Sequence, residues 1–394
     1  MDLTFSKEDE DFRSEFRSWL DTNLPAEMRT LDWWRPKSEA EQFQIRREWE
    51  AKKASAGFCG IQWPTEYGGR GGTPTMKAIY DEEMAKSNAP RTVNPLGLAF
   101  LGPTVMAIGT DEQKRDIIKP LLHTETIWCQ GFSEPGAGSD LAALQLKAED
   151  EGENWRLNGQ KIWTTNAMHG DKIFTLARTG QGTKKHEGIS MLLVDMHQDG
   201  VEARPLKQIT GESEFGEVFY TDAICPKDQV LGGTDNGWMT AMLLLSFERG
   251  SSAIGQYTEF KGQWDEVVSL AKKVDRNGGK AVDDPVLRQK LANSLIELEC
   301  LKLHSWHVLT QTSQGKDLGY EASMTKIMWS ETFRKVSDTY EAVLGSAFQV
   351  NETVGTTIEE LTTLALWSRS CTIWGGSQQV QRSIVAERVL GLPR

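Results

Sequence analysis

Helical periodicity runs through both ends of this 394-residue chain and breaks off in the middle, between Ile127 and about Leu231. Short apolar runs in that window, such as Lys172–Ala177 and Ser190–Val194, are rich in branched residues and punctuated by Gly and Asn pairs. That texture belongs to strands. A chain of this pattern has to enclose a β-core between two helical ones, so the expected fold class is α+β, mainly α. Residues 1–125 read as an N-terminal helical domain, 126–235 as a small antiparallel β-domain and 236–394 as a four-helix-bundle-like domain. Within the middle region, NWRLNGQKIWTTN reads as a hairpin turning at Asn158-Gly159, a pair that readily adopts a type I′ turn.

Before the break, Phe5, Phe12, Phe16, Trp19 and Leu20 recur at helical spacing behind Ser6, a candidate N-cap. Further helices are expected over Glu39–Ala56, stopped by Gly57, then over Thr75–Ser87 and Gly102–Leu122. After the break they are expected over Trp238–Ser252 running on towards Lys273, then Pro285–Gln311, Ala322–Leu344, Glu359–Ser370 and Ser377–Leu390. The stretch Asp275–Asp284 reads as an exposed connection.

Composition excludes several classes of function. A formal net charge of −12 is wrong for a nucleic-acid binder, which needs a basic face to release counterions. No apolar run reaches the roughly 18 residues of a membrane span, and the acidic start MDLTFSKEDEDF does not read as a targeting peptide. A cytoplasmic protein is the expectation. Five scattered cysteines without CxxC spacing read as reduced thiols, supporting neither a disulfide framework nor a metal site.

Two stretches carry the candidate chemistry. Gln130–Asp140, QGFSEPGAGSD, combines hydroxyls with glycines that leave backbone amides open to a polar, anionic ligand. Gly159–Asn166, GQKIWTTN, places Trp163 and two threonines in a β-prone segment.

With these two stretches in place, the sequence resembles the acyl-CoA dehydrogenase family, and the resemblance extends over essentially the whole chain. It implies FAD held by the β-domain and the C-terminal bundle. Gln130, Phe132 and Ser133 match the flavin-contacting motif, with Ser133 as a hydroxyl partner of the ring. Ser139 matches a position that contacts flavin phosphate and acyl-CoA. Trp163, Thr164 and Thr165 match the strand covering one flavin face, and Ser377 joins the cofactor-binding set. The resemblance also implies α,β-desaturation of an acyl-CoA thioester, with an α-proton taken by a carboxylate and a β-hydride passed to flavin N5.

The family's common base position, a Glu in Tyr-Glu-Gly-Thr, is Gly375 here, within Trp374-Gly375-Gly376-Ser377. A second family pattern sets the base in a Glu-Arg pair on an earlier helix, matched by Glu248 and Arg249 after the apolar run Met242–Leu245. Glu248 is therefore the implied base, Arg249 a substrate contact, and Gly375 the backbone donor to the thioester oxygen. A carboxylate beside such a run is partly desolvated, which raises its pKa and improves it as a base.

Most homotetrameric members carry an Arg-x-x-Phe-Gly stretch and a Gln before Phe-Gly-Gly that grip a neighbour's FAD. The corresponding regions read Asp275–Gly279 and Ala342–Ser346, without the Phe or the Gln. Similar losses occur in bacterial α2β2 heterotetramers, including steroid side-chain dehydrogenases, so the expected partners are a related second subunit, or a homotetramer, and an electron-transfer flavoprotein. Alternatives on the same scaffold are a flavin monooxygenase or oxidase, and a non-catalytic partner subunit.

Overall fold

The computed structural model describes residues 4–247, 253–316, 319, 321–349 and 356–393. The order is helical, then β, then helical. Helices α1 (Lys7–Asn23), α2 (Leu31–Trp34), α3 (Glu39–Ser55), α4 (Pro74–Lys86), α5 (Gly102–Ile108) and α6 (Asp111–Leu122) precede the strands. These are β1 (Trp128–Gly131), β2 (Lys147–Glu151), β3 (Asn154–Thr165), β4 (Lys172–Arg178), β5 (Ile189–Asp195), β6 (Val201–Leu206), β7 (Phe215–Pro226) and β8 (Val230–Leu231). Then follow α7 (Gly237–Phe247), α8 (Ala253–Ala271), the short strands β9 (Asp275–Arg276) and β10 (Gly279–Lys280), and α9 (Pro285–Ser313), α10 (Glu321–Leu344), α11 (Thr356–Ser368) and α12 (Gln378–Arg388). No helix among the described residues is long and apolar enough to cross a membrane, and no metal-binding cluster of His, Cys, Asp or Glu occurs among them.

By compactness the chain divides into residues 1–36, 73–90 and 249–394 as one unit, and 37–72 and 91–248 as the other. The N-terminal helical region thus contributes to both. In the first unit, α8, α9, α10 and α11 enclose a core of Phe260, Val267, Leu291, Leu298, Phe333, Val336, Tyr340 and Leu361. The rings of Phe260 and Phe333 stack at 4.5 Å within 2° of parallel. Helix α1 joins this unit through Arg13, 2.7 Å from Glu83 on α4. Ser6 caps α1 as the sequence predicts, with Asp9 returning the bond in a capping box; such a cap contributes about 1 kcal/mol.

In the second unit the strand order is β6-β7-β3-β2-β4-β5-β8, with β1 beside β4. Strands β4 and β5 are buried on both faces, which explains their unbroken apolar runs. Phe174, Leu176, Met191 and Leu193 meet Leu101, Ile118, Leu121 and Leu244 of the helices. Ile173, Leu192 and Val194 face Trp155, Leu157, Val218 and Tyr220 on the other side.

Four sequence expectations need correction. The sheet is antiparallel in the main, but β1 runs parallel to β4, because the chain makes a crossover through residues 132–171 before returning. Gly102–Leu122 is two helices: the Thr110 side chain caps Gln113 and starts a new one. The region expected to turn at Asn158-Gly159 is one continuous strand. Its turn falls earlier, at Gly152 (φ +80°), whose N–H donates to Asp150 Oδ1 at 2.9 Å. Asn158 instead bonds Asp222 across the sheet, and Gly159 sits in a bulge where a Cβ would lie 2.9 Å from Leu146 Cδ1. The Asn-Gly pair that does turn a hairpin is Asn277-Gly278 between β9 and β10, both with positive φ, inside the stretch expected to be a plain connection.

Candidate active site

Strand β1 delivers Gln130, Phe132 and Ser133 to the sheet edge. Phe132 is buried edge-on to Phe174 at 6.0 Å, while Gln130 and Ser133 are half-buried. The chain then closes a tight turn, with Glu134 and Ala137 exchanging both backbone hydrogen bonds at 3.0 Å. Gly136 and Gly138 have open space where side chains would be, and Ser139 is exposed beside them. The two motifs are joined directly, because Ile162 N–H donates to Ser133 O at 2.9 Å.

The position of Trp163 follows from a break in strand phase. Trp155, Leu157 and Lys161 point inward along β3, and strict alternation would bury Trp163 with them. A register shift between Lys161 and Thr164 intervenes, with Trp163 at φ +61°. Thr164 is turned in instead, and Trp163 is turned out, 56% exposed, with its ring edge-on to Phe215 at 6.0 Å. The buried Thr164 Oγ1 has no hydrogen-bond partner among the described residues. A left-handed backbone for a non-glycine residue costs about 1–2 kcal/mol, and such strain concentrates at functional positions.

Beneath this edge lies a buried ion pair that the sequence reading missed. Lys161 Nζ is 2.8 Å from Glu134 Oε1 and donates to Phe132 O at 3.1 Å. The Glu134 carboxylate also accepts Gln145 N–H at 2.6 Å and Leu146 N–H at 2.8 Å. One pair thus staples β3 to the loop carrying Ser133. Burial pulls the Lys161 ammonium down to about 8, with the Glu134 charge restoring only part of the loss. The available signal was parity: an ionisable residue at the inward phase of β3 requires a partner.

Gly375 and Ser377 belong to the bundle unit. Gly375 and Gly376 are both left-handed (φ +64° and +88°), and Ser377 caps α12 by accepting Val380 N–H at 3.3 Å. Among the described residues the exposed Gly375 N–H meets no acceptor, while its carbonyl accepts from Gln381 Nε2 at 3.3 Å. Helix α7 carries the apolar run as far as Phe247; Glu248 and Arg249 lie outside the described residues. Arg276 is engaged within its own chain, donating to Ala342 O at 2.9 Å and pairing with Asp284 at 3.2 Å.

Together, Trp163, the Ser133 and Thr165 positions and the open Gly136–Ser139 turn offer an aromatic face, hydroxyls and bare amides. That set fits a planar heteroaromatic ring with an anionic tail.

Comparison with known proteins agrees along the whole chain. The acyl-CoA dehydrogenase N-terminal, middle and C-terminal domain models match residues 6–125, 129–223 and 235–390. Over 391 residues the chain is 39% identical to acyl-CoA dehydrogenase IpdE1 of Mycobacterium tuberculosis, covering 98% of each. Two solved structures superpose over the full length of both chains: the ChsE4-ChsE5 complex from Mycobacterium tuberculosis (TM-score 0.86, 29% identity) and the Tcur3481-Tcur3483 steroid acyl-CoA dehydrogenase (TM-score 0.85, 28% identity). The chain belongs to the acyl-CoA dehydrogenase family.

Proposed function

We propose that this chain is the catalytic subunit of an FAD-dependent acyl-CoA dehydrogenase that forms a trans-2-enoyl-CoA, with domains 1–125, 126–235 and 236–394. The observation that carries the reading is Trp163, an exposed aromatic held in a strained conformation beside Ser133 and Thr165. When bound, FAD would supply the two-electron acceptor for the hydride lost from the β-carbon. Glu248 takes the α-proton, and the Gly375 N–H donates to the thioester oxygen as negative charge develops there. Ser133 and Thr165 would offer hydroxyls to the ring, the strand Trp163–Thr165 would cover one of its faces, and Gln130, Phe132 and the Thr164 backbone would complete the cradle. Ser139 would contact the flavin phosphate and, with Arg249, the acyl-CoA, and Ser377 belongs to the cofactor-binding set. The electrons leave to an electron-transfer flavoprotein. Gly375, in place of a side chain, admits a branched or ring-bearing acyl group, in line with the steroid relative.

Purified with its partner, the protein should show the visible absorbance of oxidised flavin and lose it anaerobically on addition of an acyl-CoA. A colourless complex indifferent to FAD would end this reading.

Trp163→Gly separates ligand binding from folding. Losing the edge contact with Phe215 costs about 0.5–1.5 kcal/mol, and relieving the left-handed strain returns about 1–2 kcal/mol. The melting temperature of flavin-free protein should therefore stay within a few degrees while flavin retention falls. A fall in both would make Trp163 a structural strut.

The chain belongs with a related second subunit in an α2β2 assembly. Its support is Arg276, whose guanidinium is held by Ala342 and Asp284 of the same chain rather than left free to reach a neighbour's cofactor. Expressed alone, the chain should hold FAD weakly; co-expression with the partner should raise both occupancy and melting temperature. Full FAD occupancy in a homotetramer refutes the heteromeric assignment.

A further inference from the structure

The turn that carries Gly375 has two consecutive left-handed glycines and no side chain of its own to fix its orientation, so its geometry has to come from its neighbours. On the far side, Gln381 of α12 bonds the Gly375 carbonyl and fills the space where a Gly376 Cβ would lie, 2.3 Å from Nε2. The near side is held from α10. Lys326, only 9% exposed, donates from Nζ to Cys371 O at 2.8 Å. The same Nζ lies 4.0 Å from the centroid of Trp374 and 4.3 Å from that of Trp329. The two tryptophan rings lie 5.4 Å apart, and Trp374 Nε1 donates to Ser370 Oγ at 3.0 Å.

An ammonium removed from water in this way needs substitutes for its hydration. A carbonyl and two indole faces supply them, Trp giving the strongest cation–π contact. Two of these contacts, the Cys371 carbonyl and the Trp374 ring, lie in Cys371–Trp374, the segment leading into Gly375, and the third, Trp329, packs on Trp374 from α10. The direction of the Gly375 N–H is set by the peptide plane shared with Trp374, so fixing Trp374 fixes the donor.

We propose that Lys326 is a positioning residue, clamping Trp374 between itself and Ser370 so that the Gly375 N–H is aimed at the substrate's thioester oxygen. This rests on the dehydrogenase reading above. A donor displaced by about 1 Å can cost on the order of 10²-fold, close to the loss of an oxyanion donor itself.

The test uses the holoenzyme with its partner subunit. Wild type is screened for turnover on octanoyl-CoA, isobutyryl-CoA and a bile-acid CoA thioester. In Lys326→Met, kcat on the best of these should fall about 10–100-fold, with KM changed less than about threefold and flavin content retained. Lys326→Arg should recover most of the rate, since it keeps the charge over the rings. Binding gives a second readout: the preference for the thioester over the thioether analogue lacking the carbonyl oxygen should collapse in Lys326→Met. A helix-packing role moves neither the split nor that preference. Should Lys326→Met fail to fold, Trp374→Leu, at an exposed ring, is expected to show the same split. Wild-type kcat in Lys326→Met or in Trp374→Leu, or a loss confined to KM, overturns the inference alone. A wild type that turns over none of the three thioesters overturns the dehydrogenase reading and this inference with it.

Discussion

Glu248→Gln should slow flavin reduction by an acyl-CoA about 10²–10⁴-fold, the range that general-base catalysis contributes, while flavin content and acyl-CoA affinity persist. The substitution keeps shape and hydrogen bonding and removes only the capacity to accept a proton. Nothing nearby in sequence can substitute, because the family's other base position is Gly375. Stopped-flow reduction under saturating substrate isolates the step from product release. Reduction at the wild-type rate would make Glu248 structural and the mechanism untenable. Adding Gly375→Glu to this variant tests whether both positions face one α-carbon. Rescue should be partial, because residue 375 sits at φ +64°, where a side chain costs about 1–2 kcal/mol, and a modest drop in melting temperature should accompany it.

Lys161→Met is expected to be the most destabilising of the single changes considered. Removing one member of a buried ion pair leaves the other charge uncompensated, at about 3–5 kcal/mol. A fall in melting temperature on the order of 10 °C follows for a unit of this size. The two backbone N–H groups on Glu134 soften the effect without cancelling it. Because a buried ion pair adds little net stability over a neutral replacement, Lys161→Met with Glu134→Gln should recover most of the loss. The pH dependence has a definite sign. The folded-state value is about 8 against an ordinary 10.5, so between these pH values the unfolded chain binds more protons. This group's contribution to stability therefore rises with pH across that window, and lysine removal flattens the slope. An unchanged melting temperature in Lys161→Met would show that the pair braces nothing.

The long-range pattern of this fold was legible, and local switches were not. Helices α1, α3, α4, α9 and α10 lie within a few residues of their expected positions because periodicity and caps such as Ser6 act locally. The hairpin is misplaced because the Asn158-Gly159 and Asn277-Gly278 pairs read alike on local terms. Cross-strand partners decide between them: Asp222 holds Asn158 in a strand, whereas Asn277 has only its two-residue ribbon. The Gly102–Leu122 division was hidden because Gly109 is tolerated inside many helices; Thr110 engaging Gln113 is what ends one and starts the next. At the candidate site, Ser133 and Trp163 are singled out by their resemblance to a family motif. Their connection through Ile162, and the buried Lys161 beneath them, depend on a strand phase that no single residue announces.

That phase change divides the labour along β3. Upstream of the shift, the inward residues Trp155, Leu157 and Lys161 answer to the core; beyond it, Trp163 leaves the core and Thr164 enters it. The two halves are out of step, so a substitution at 163 can be tried for its effect on a ligand without repacking the residues that keep the sheet folded. One strand thus serves two separable demands, packing upstream and surface presentation downstream, with the register shift as the seam between them.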